Sequence, residues 1–249
     1  MIVLKTSREL ALMREACRIS AGALKAAGEA VQPGVTTAEI DKIAYDYIKE
    51  HGATPSFLHL YDFPATACIS INDEVIHGIP DKKRVIQEGD IVSIDLGAAI
   101  EGYNGDNAAT FAAGKISPEA QRLCDVTRES LYEGINKALA GGRLGDIGYA
   151  IQSYCEKHGY GVVRSFTGHG IGKKLHEDPS VPNYGTPGRG VRLLPGMTIA
   201  IEPMINQGVP GVKTMSDGWT VKTADGKLSA HFEHTIAITS NGPVILTEL

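Results

Sequence analysis

Two aspartates, Asp95 and Asp106, lie in a segment that otherwise has the pattern of a buried β-hairpin. Val92, Ile94 and Leu96 alternate with small or polar residues, which is typical of a strand with one apolar face. Asp95 is therefore expected to point away from the main core. If Asp106 shares its face, the two carboxylates lie within about 4.5–8 Å, where like charges repel each other. The pattern therefore predicts a cation between them.

The length of the turn decides whether the two carboxylates share a face. The glycine-containing pairs Glu101-Gly102 and Asn104-Gly105 are typical of tight turns and are predicted to form this one. A connecting loop with an even number of residues places both carboxylates on the same face of the sheet. An odd loop places them on opposite faces.

Three further residues, His169, Glu202 and Glu233, are candidates for the same site. His169 lies in a glycine-rich run, TGHGIG, whose three glycines suggest that the backbone approaches a bound group closely. The run matches neither of the phosphate-binding patterns, GxGxxG and the P-loop. Glu202 is predicted to lie in a strand over residues 198–204, and Glu233 in a last strand over residues 229–239.

Four carboxylates in strands with apolar neighbours would be prohibitively unfavourable if they were buried without compensation. Two divalent cations would balance four negative charges, and carboxylates can bridge cations about 3.5–4 Å apart. A set of carboxylates with one imidazole suits Mn, Fe(II), Co or Zn and disfavours a structural zinc site of the cysteine type. The alternative is that these acids lie separately on exposed faces, which is the simpler interpretation of any one of them alone.

An internal repeat favours the metal site. The run GDIVSID, which ends at Asp95, has a counterpart in GMTIAIE, which ends at Glu202. The same offset of 107 residues relates a second set, in which Gly34, Glu39, Ile40, Tyr47, His51 and Gly52 match Gly141, Asp146, Ile147, Tyr154, His158 and Gly159. A constant offset in two distant places indicates a duplicated α+β unit, with halves at roughly residues 7–112 and 117–240. A pseudo-two-fold axis would bring Asp95 and Glu202 together at the centre of a single catalytic domain, residues 1–249.

Four helices are predicted around these strands, because capping residues precede amphipathic segments and helix-breaking residues follow them. Ser7 is the expected N-cap of the first helix and Thr37 that of the second. The helices are expected over residues 7–30, 37–51, 117–140 and 146–158.

The composition, 249 residues with 43% hydrophobic and 21% charged residues, is that of an ordinary globular protein. A net charge of -5 without basic runs argues against a general nucleic-acid-binding protein. The four cysteines form no CxxC pair and are expected to be reduced. Because no stretch approaches the length of a signal peptide or a transmembrane helix, a soluble cytoplasmic protein without membrane contact is expected.

Several short motifs carry a resemblance to a known family. They are HGIP at residues 77–80, the Asp95 and Asp106 pair, GHGIG at 168–172, HEDP at 176–179, AIEPM at 200–204, and DGWTVKT followed by HFEHT. On these motifs the chain resembles, over nearly its whole length, type I methionine aminopeptidase, the short bacterial form of the pita-bread metallopeptidases of family M24. The resemblance implies an α+β pita-bread fold, in which a duplicated unit forms a central, mainly antiparallel sheet covered by two pairs of helices.

The same resemblance implies an exopeptidase that removes N-terminal methionine from nascent proteins when the second residue is small. Hydroxide would attack the peptide at a dinuclear metal centre. Asp95 would bind one metal ion, and His169 and Glu202 would bind the other. Asp106 and Glu233 would bridge the two ions, which could be Co, Mn, Fe(II) or Zn.

The resemblance also assigns residues to the substrate. His77 would lie near the substrate amide and His176 near the scissile carbonyl, and Glu202 would carry a proton to the leaving amine. The pocket for the methionine side chain would be formed by Cys68, Trp219, Phe57 and Phe63.

The chain departs from the family at two positions. Leu60 stands where a pocket tyrosine is expected, and Asn107 stands where serine, threonine or alanine is more usual. Both departures affect the expected shape of the pocket, whereas the ligand set is complete. Three other histidines, His59, His231 and His234, are expected to be structural, in loops that satisfy them with backbone hydrogen bonds.

Two alternatives share the fold. Prolidases and proline-specific aminopeptidases have the same ligand set but usually carry an extra N-terminal domain, for which the roughly 30 residues before the second helix leave no room. A non-catalytic binding module of this fold would have lost ligands, and all five are present here. The expected partners are the N-termini of nascent polypeptides at the ribosome, with the chain acting as a monomer.

Overall fold

Four helices pack on a central set of strands. The computed structural model describes residues 1–248. Its α-helices are α1 (Ser7–Glu29), α2 (Thr37–Glu50), α3 (Pro118–Ile135) and α4 (Leu144–Lys157). A 3₁₀ turn, Leu60–Asp62, lies between the first two strands. Within residues 1–248, no helix combines the length and the apolar character that crossing a lipid bilayer requires.

Most of the strands belong to one large sheet. The strands are β1 (Thr54–Pro55), β2 (Ala67–Ile71), β3 (Glu74–Ile76), β4 (Ile91–Ile100), β5 (Tyr103–Ala112), β6 (Gly161–Val162), β7 (Gly168–Gly170), β8 (Glu177–Val181), β9 (Thr198–Ile201), β10 (Met204–Asn206), β11 (Val212–Thr214), β12 (Val221–Thr223), β13 (Ser229–His231), β14 (Glu233–Thr239) and β15 (Gly242–Ile245). Nine of them form the main sheet, in the order β1-β4-β5-β14-β9-β7-β8, with β2 on β4 and β15 on β14. Two three-stranded sheets, β13-β10-β6 and β11-β12-β3, complete the fold. Neighbouring strands run antiparallel throughout the described residues.

The hairpin of β4 and β5 has a two-residue turn. Glu101-Gly102 connects the paired residues Ile100 and Tyr103. Both turn residues have positive φ, 52° and 77°, as a tight hairpin turn of type I′ requires. The expectation that Asn104-Gly105 also belongs to the turn is wrong, because both residues lie in β5 and pair with Ala99 and Ala98 of β4.

This even-numbered loop fixes the register of the two aspartates. Asp95 pairs with Ala108, and Asp106 pairs with Gly97. Side chains two residues apart on a strand share a face, so the two carboxylates lie diagonally on one face of the sheet. The interpretation that depended on an even loop is therefore the correct one.

The two halves of the sequence form two matching cores. Val92, Ile94 and Leu96 of β4 lie in a core with residues of α1 and α2. Ile199 of β9 and Ile236 of β14 lie in a second core with residues of α3 and α4. The apolar face predicted for β4 is therefore turned to the helices, and the face that carries Asp95 is turned away from them.

The offset of 107 residues recurs in individual contacts as well. The isolated bridge Thr36–Val85 recurs as Arg143–Arg192, and the contact of His51 Nδ1 with Tyr47 O, at 2.8 Å, recurs as His158 Nδ1 with Tyr154 O, also at 2.8 Å. The two halves of the sequence therefore share individual backbone and helix-end contacts as well as residue types.

The N-terminal caps of the first two helices lie one residue earlier than expected. Thr6 and Thr36, rather than Ser7 and Thr37, have extended backbone and accept a hydrogen bond from the N–H three residues later. In each helix the carboxylate of the glutamate at that third position accepts a hydrogen bond from the threonine N–H, which completes a capping box. The two reciprocal hydrogen bonds of the capping box make Thr6 and Thr36, rather than the next residue, the N-caps.

The third and fourth helices also differ from expectation. α3 ends at Ile135 rather than near Ala140, because Lys137 N and Ala138 N donate to the carbonyls three residues before them. Such short-range bonds tighten the last turn and end a helix. α4 begins at Leu144, ahead of Asp146, and its last residue is Lys157.

Glu202 and Glu233 lie at strand ends, whereas unbroken strands through both were expected. β9 ends before Glu202, and β10 begins after Pro203, which has no N–H to donate to a sheet. The chain passes here from the main sheet to the sheet of β6, β10 and β13. It returns at Phe232, between β13 and β14. Each acid therefore stands where the backbone changes sheets.

Gly105 lies where β5 meets α1, and we expect Gly105→Ala to be strongly destabilising. A Cβ atom there would lie 2.5 Å from both the N and the Cα atoms of Cys17. Overpacking against backbone should lower the free energy of unfolding by about 1–3 kcal/mol or more. Gly211→Ala is the matched control, since its nearest atom would be 3.4 Å away, and it should change that free energy by less than about 0.5 kcal/mol. Equal stabilities in urea unfolding would contradict the close packing of α1 on β5.

Candidate metal centre

The side chains predicted to act on metal or substrate line one cavity of about 500 Å³. The five candidate ligands come from five adjacent strands of the main sheet: Asp95 from β4, Asp106 from β5, Glu233 from β14, Glu202 from the end of β9, and His169 from β7. His77 and His176 line the same cavity. Sheet order, rather than sequence order, therefore assembles the cluster.

Three of these residues form a tight group of donor atoms. One ligand atom each from Asp106, His169 and Glu233 lies within 4.8 Å of the others. His169 Nε2 is 3.6 Å from Asp106 Oδ2 and 3.7 Å from Glu202 Oε1. His169 Nδ1 donates to Gly170 O at 2.8 Å, so that Nε2 carries the lone pair facing the carboxylates. The imidazole is thus oriented as a ligand.

Several carboxylate oxygens of the cluster are buried without a hydrogen bond. Asp95 Oδ1, Asp106 Oδ1 and Glu233 Oε1 have no partner among the described residues. A buried anionic oxygen left in this way is strongly unfavourable unless a cation compensates it. Oxygen donors with one imidazole suit a divalent ion of the Mn, Fe, Co or Zn type. The residues therefore fit a metal centre.

The cluster also perturbs the ionisation of its members. Burial raises the pKa of the Asp106 carboxyl to about 8. Burial, and secondly the charge of neighbouring carboxylates, raises the pKa of Asp95, Glu202 and Glu233 well above its usual range. Without a cation, the cluster holds protons at neutral pH.

We expect metal binding at pH 7 to release protons from this cluster. A carboxyl whose pKa is raised above 7 is protonated in the metal-free protein and must ionise to bind a cation. Apparent affinity should therefore rise with pH up to about 8, the pKa of Asp106. Calorimetric titration with Mn²⁺ in buffers of different ionisation enthalpy measures the protons released. Identical heats in all buffers would contradict the raised pKa values.

Two histidines beside the cluster are neutral at pH 7. Burial, followed by the charge of His176, lowers the pKa of His77 to about 4. Burial, followed by the charge of His169, lowers the pKa of His176 to about 4. The His176 ring stands edge-on to the His169 ring, with centroids 4.5 Å apart. Each neutral imidazole carries one N–H that can donate to a substrate oxygen or nitrogen.

An apolar pocket adjoins the carboxylates in the same cavity. Cys68 of β2 pairs with Asp95 of β4, so the thiol lies beside the cluster. Phe63 packs edge-on against Trp219, with ring centroids 5.1 Å apart, and Phe57 is buried on the same cavity. Burial raises the pKa of the Cys68 thiol well above its usual value, so it remains neutral. Aromatic rings with a neutral thiol provide a polarisable, apolar surface.

Tyr61 is a cavity residue that no motif in the sequence identifies. It lines the cavity beside Leu60, the residue that replaces the expected tyrosine. Its ring lies parallel to that of His176, with centroids 6.0 Å apart. Tyr61 reaches this position with φ 49°, and its neighbours His59 and Asp62 also have positive φ. Non-glycine residues rarely adopt this region, so no local pattern predicts the orientation.

His231 is a second residue that was missed, and its assignment as a loop histidine satisfied by backbone is wrong. It lies in β13, is 1% exposed, and its Nε2 has no hydrogen-bond partner among the described residues. That atom is 3.8 Å from Glu202 Oε2. The position of His231, two residues before Glu233, is the signal that could have placed it near the site. His234, by contrast, contacts a side-chain hydroxyl, that of Thr247, with 2.9 Å between Nδ1 and Oγ1.

Asn107 does not belong to the metal cluster, although it follows Asp106. Its Oδ1 accepts a hydrogen bond of 2.5 Å from Ser20 Oγ of α1, on the opposite face of β5. The same hydroxyl lies 3.1 Å from Leu96 O. The departure from the family at this position therefore concerns the contact between α1 and the sheet.

Four carboxylates and one imidazole gather in a buried cleft of a duplicated α+β fold, a donor set typical of metal-dependent hydrolases. The chain belongs to metallopeptidase family M24, whose family model matches residues 11–240.

The chain is similar to solved and curated members of this family. It is 56% identical to the methionine aminopeptidase of Clostridium acetobutylicum over 247 aligned residues. The alignment covers 99% of both chains. The structure of methionine aminopeptidase from Thermotoga maritima matches with a TM-score of 0.98 at 44% identity and covers 100% of both chains. The prolidase from Pyrococcus furiosus matches with a TM-score of 0.81 at 27% identity, covering 99% of this chain and 66% of the prolidase. The predicted pita-bread fold is confirmed, and the chain is a metallopeptidase that binds divalent metal.

Proposed function

We propose that this chain is a methionyl aminopeptidase that releases N-terminal methionine when the second residue is small. The observation that carries the proposal is the apolar pocket of Phe57, Phe63, Cys68 and Trp219, which shares one cavity with the candidate ligands. Full-length similarity to methionine aminopeptidases supports it. A thioether fits a pocket of aromatic rings and a thiol because all of these groups are polarisable.

The proposed centre would hold two divalent ions. Asp95 would bind one ion, His169 and Glu202 the other, and Asp106 and Glu233 would bridge them. Bound divalent ions make water a nucleophile at neutral pH and polarise a carbonyl. The four carboxylates supply the negative charge that two such ions require. The imidazole of His169 is the fifth side-chain ligand.

The remaining chemistry belongs to the side chains around the cluster. His176 would donate its N–H to the developing oxyanion, which its neutral state at pH 7 permits. His77 would hold the substrate amide nitrogen. Glu202 would move a proton to the leaving amine, because a carboxylate beside the bound water can accept a proton and pass it on. The apolar lining of Phe57, Phe63, Cys68 and Trp219 would favour the methionine side chain over water.

A proline-specific peptidase is the alternative that shares the fold. Cleavage of Met-Ala and Ala-Pro peptides by metal-depleted and by reconstituted protein distinguishes the two. We expect release of methionine from Met-Ala after reconstitution with Mn²⁺ or Co²⁺, and no cleavage of Ala-Pro. Cleavage of Ala-Pro without release of methionine would overturn the proposal.

The second residue of the substrate should strongly affect turnover. Its side chain must fit beside His77 and the cluster, and isoleucine is branched at Cβ and stiff at χ1. We expect kcat/KM for Met-Ala, Met-Gly and Met-Ser peptides to exceed that for Met-Ile by at least about 10²-fold. A Met-norvaline peptide, which is unbranched, is the matched comparison and should fall between them. Equal turnover of Met-Ile and Met-Ala would show a wider site.

The same rule applies to the first residues of this sequence, Met1-Ile2. A peptide with this start should keep its methionine.

We further propose that the enzyme acts as a monomer in the cytoplasm, on nascent chains at the ribosome. Light scattering that gives the mass of two chains would contradict the monomer.

A further inference from the structure

The segment before α1 contacts the loop that carries His176. The Lys5 side chain is buried, with 4% of its surface exposed, and its Nζ lies 2.5 Å from Glu177 Oε2. Glu177 directly follows His176 in the sequence, and its side chain is 12% exposed. An ion pair therefore links two residues 172 positions apart at the edge of the cavity.

The path of Lys5 is fixed by two close approaches to glycine. Lys5 N donates to Gly196 O at 2.7 Å, which holds the backbone. A Cβ on Gly172 would lie 2.5 Å from Lys5 Cε and 2.7 Å from Glu177 Oε1. The lysine side chain thus passes directly over Gly172, where an added Cβ would contact both partners of the ion pair. This fit makes the ion pair a built contact within the protein interior.

The other end of the same loop is held from β5. Asn104 N and Nδ2 donate to Gly172 O at 2.9 and 3.1 Å, and Nδ2 also reaches Lys173 O at 3.2 Å. Glu177 Oε1 accepts from Lys174 N at 3.2 Å. Both oxygens of the Glu177 carboxylate are therefore engaged, one by the loop itself and one by Lys5. Glu177 also pairs with Gly170 in the sheet, so removal of Lys5 would release the Glu177 carboxylate while the ends of the loop stay in place.

A buried ion pair is a weak source of stability, because desolvation of both charges offsets their attraction. An apolar pair of similar volume could fill the same space. What the ion pair adds is direction, since it fixes the Glu177 carboxylate, which in turn accepts a hydrogen bond from Lys174 N, two residues before His176. We propose that Lys5 is a positioning residue that holds His176 in its productive orientation through Glu177. This inference rests on the proposed function, in which His176 acts on the substrate carbonyl.

Lys5→Met tests the inference, because it keeps the length of the side chain and removes the charge. We expect kcat to fall by about 10- to 100-fold, the effect of a displacement of about 1 Å, with little change in KM. Lys42→Met, which removes the ammonium of the exposed ion pair with Asp46, should leave kcat unchanged. Ile151→Val in the buried core of α4 reports the effect of lower melting temperature alone. Glu177→Gln is the second variant if Lys5→Met does not fold.

A double-mutant cycle with His176→Ala distinguishes positioning from general stabilisation. If Lys5 acts through His176, the double variant loses no more kcat than His176→Ala alone, within about 2-fold. Losses that multiply would overturn the inference. The Cε1–H NMR resonance of His176, assigned by its loss in His176→Ala, should shift in Lys5→Met and not in Lys42→Met. If His176→Ala leaves kcat unchanged, the proposed role of His176 is wrong, while an unshifted resonance would show that Lys5 does not position the ring.

Discussion

Asp106→Asn and Glu233→Gln are each expected to abolish hydrolysis and to lower the number of metal ions bound per chain. Each carboxylate is proposed to touch both ions, and each is nearly inaccessible to solvent, with 2% of the residue surface exposed. An amide keeps the shape but supplies one neutral oxygen in place of an anion, so the charge balance of the cluster fails.

Metal content by mass spectrometry and methionine release from a Met-Ala peptide measure the two effects together. Asn107→Ala is the matched control, since the next residue on the same strand faces α1 and contacts Ser20. It should keep both metal content and activity, although its stability should fall. Full metal loading with near-normal turnover in Asp106→Asn would rule out the bridging role.

His176→Ala is expected to keep its metal ions and to lose about 10²–10³-fold in kcat, which is the usual effect of removing one oxyanion donor. The pKa of His176, lowered to about 4 by burial and by His169, keeps the ring neutral through the working pH range. Loss of kcat should therefore be independent of pH above about 5. Steady-state kinetics from pH 6 to 8 check this expectation.

His51→Ala is the control for His176→Ala. His51 contacts the carbonyl of Tyr47 at the end of α2 and lies outside the cavity. The control should leave kcat unchanged. If His176→Ala raised KM and spared kcat, the residue would bind substrate without stabilising the transition state.

The central elements of the site followed from periodicity and from one internal comparison. Alternation in β4 determined which face carries Asp95, and turn chemistry left only the parity of the loop open. The constant offset between the halves then related Asp95 to Glu202 without any knowledge of the fold. These features are local or repeated, so the sequence encodes them directly.

Other features depend on contacts that the sequence does not show. Glu202 stands in a break because the chain changes sheets at Pro203, and a strand-forming composition on both sides conceals that change. Tyr61 has a positive φ, which non-glycine residues rarely adopt, and only the surrounding loop specifies this conformation. In the sequence, Lys5 resembles any charged residue near the start of a helix, because its partner Glu177 is 172 residues away. β15 was missed because its pairing with β14 is likewise a tertiary contact.

An anomalous difference map from crystals grown with Mn²⁺ tests the dinuclear centre most directly. We expect two peaks per chain, about 3.5–4 Å apart, with Asp106 and Glu233 touching both. One peak should contact Asp95, and the other should contact His169 and Glu202. A single peak held by Asp106, His169 and Glu233 alone, at saturating Mn²⁺ in active protein, would contradict the dinuclear centre.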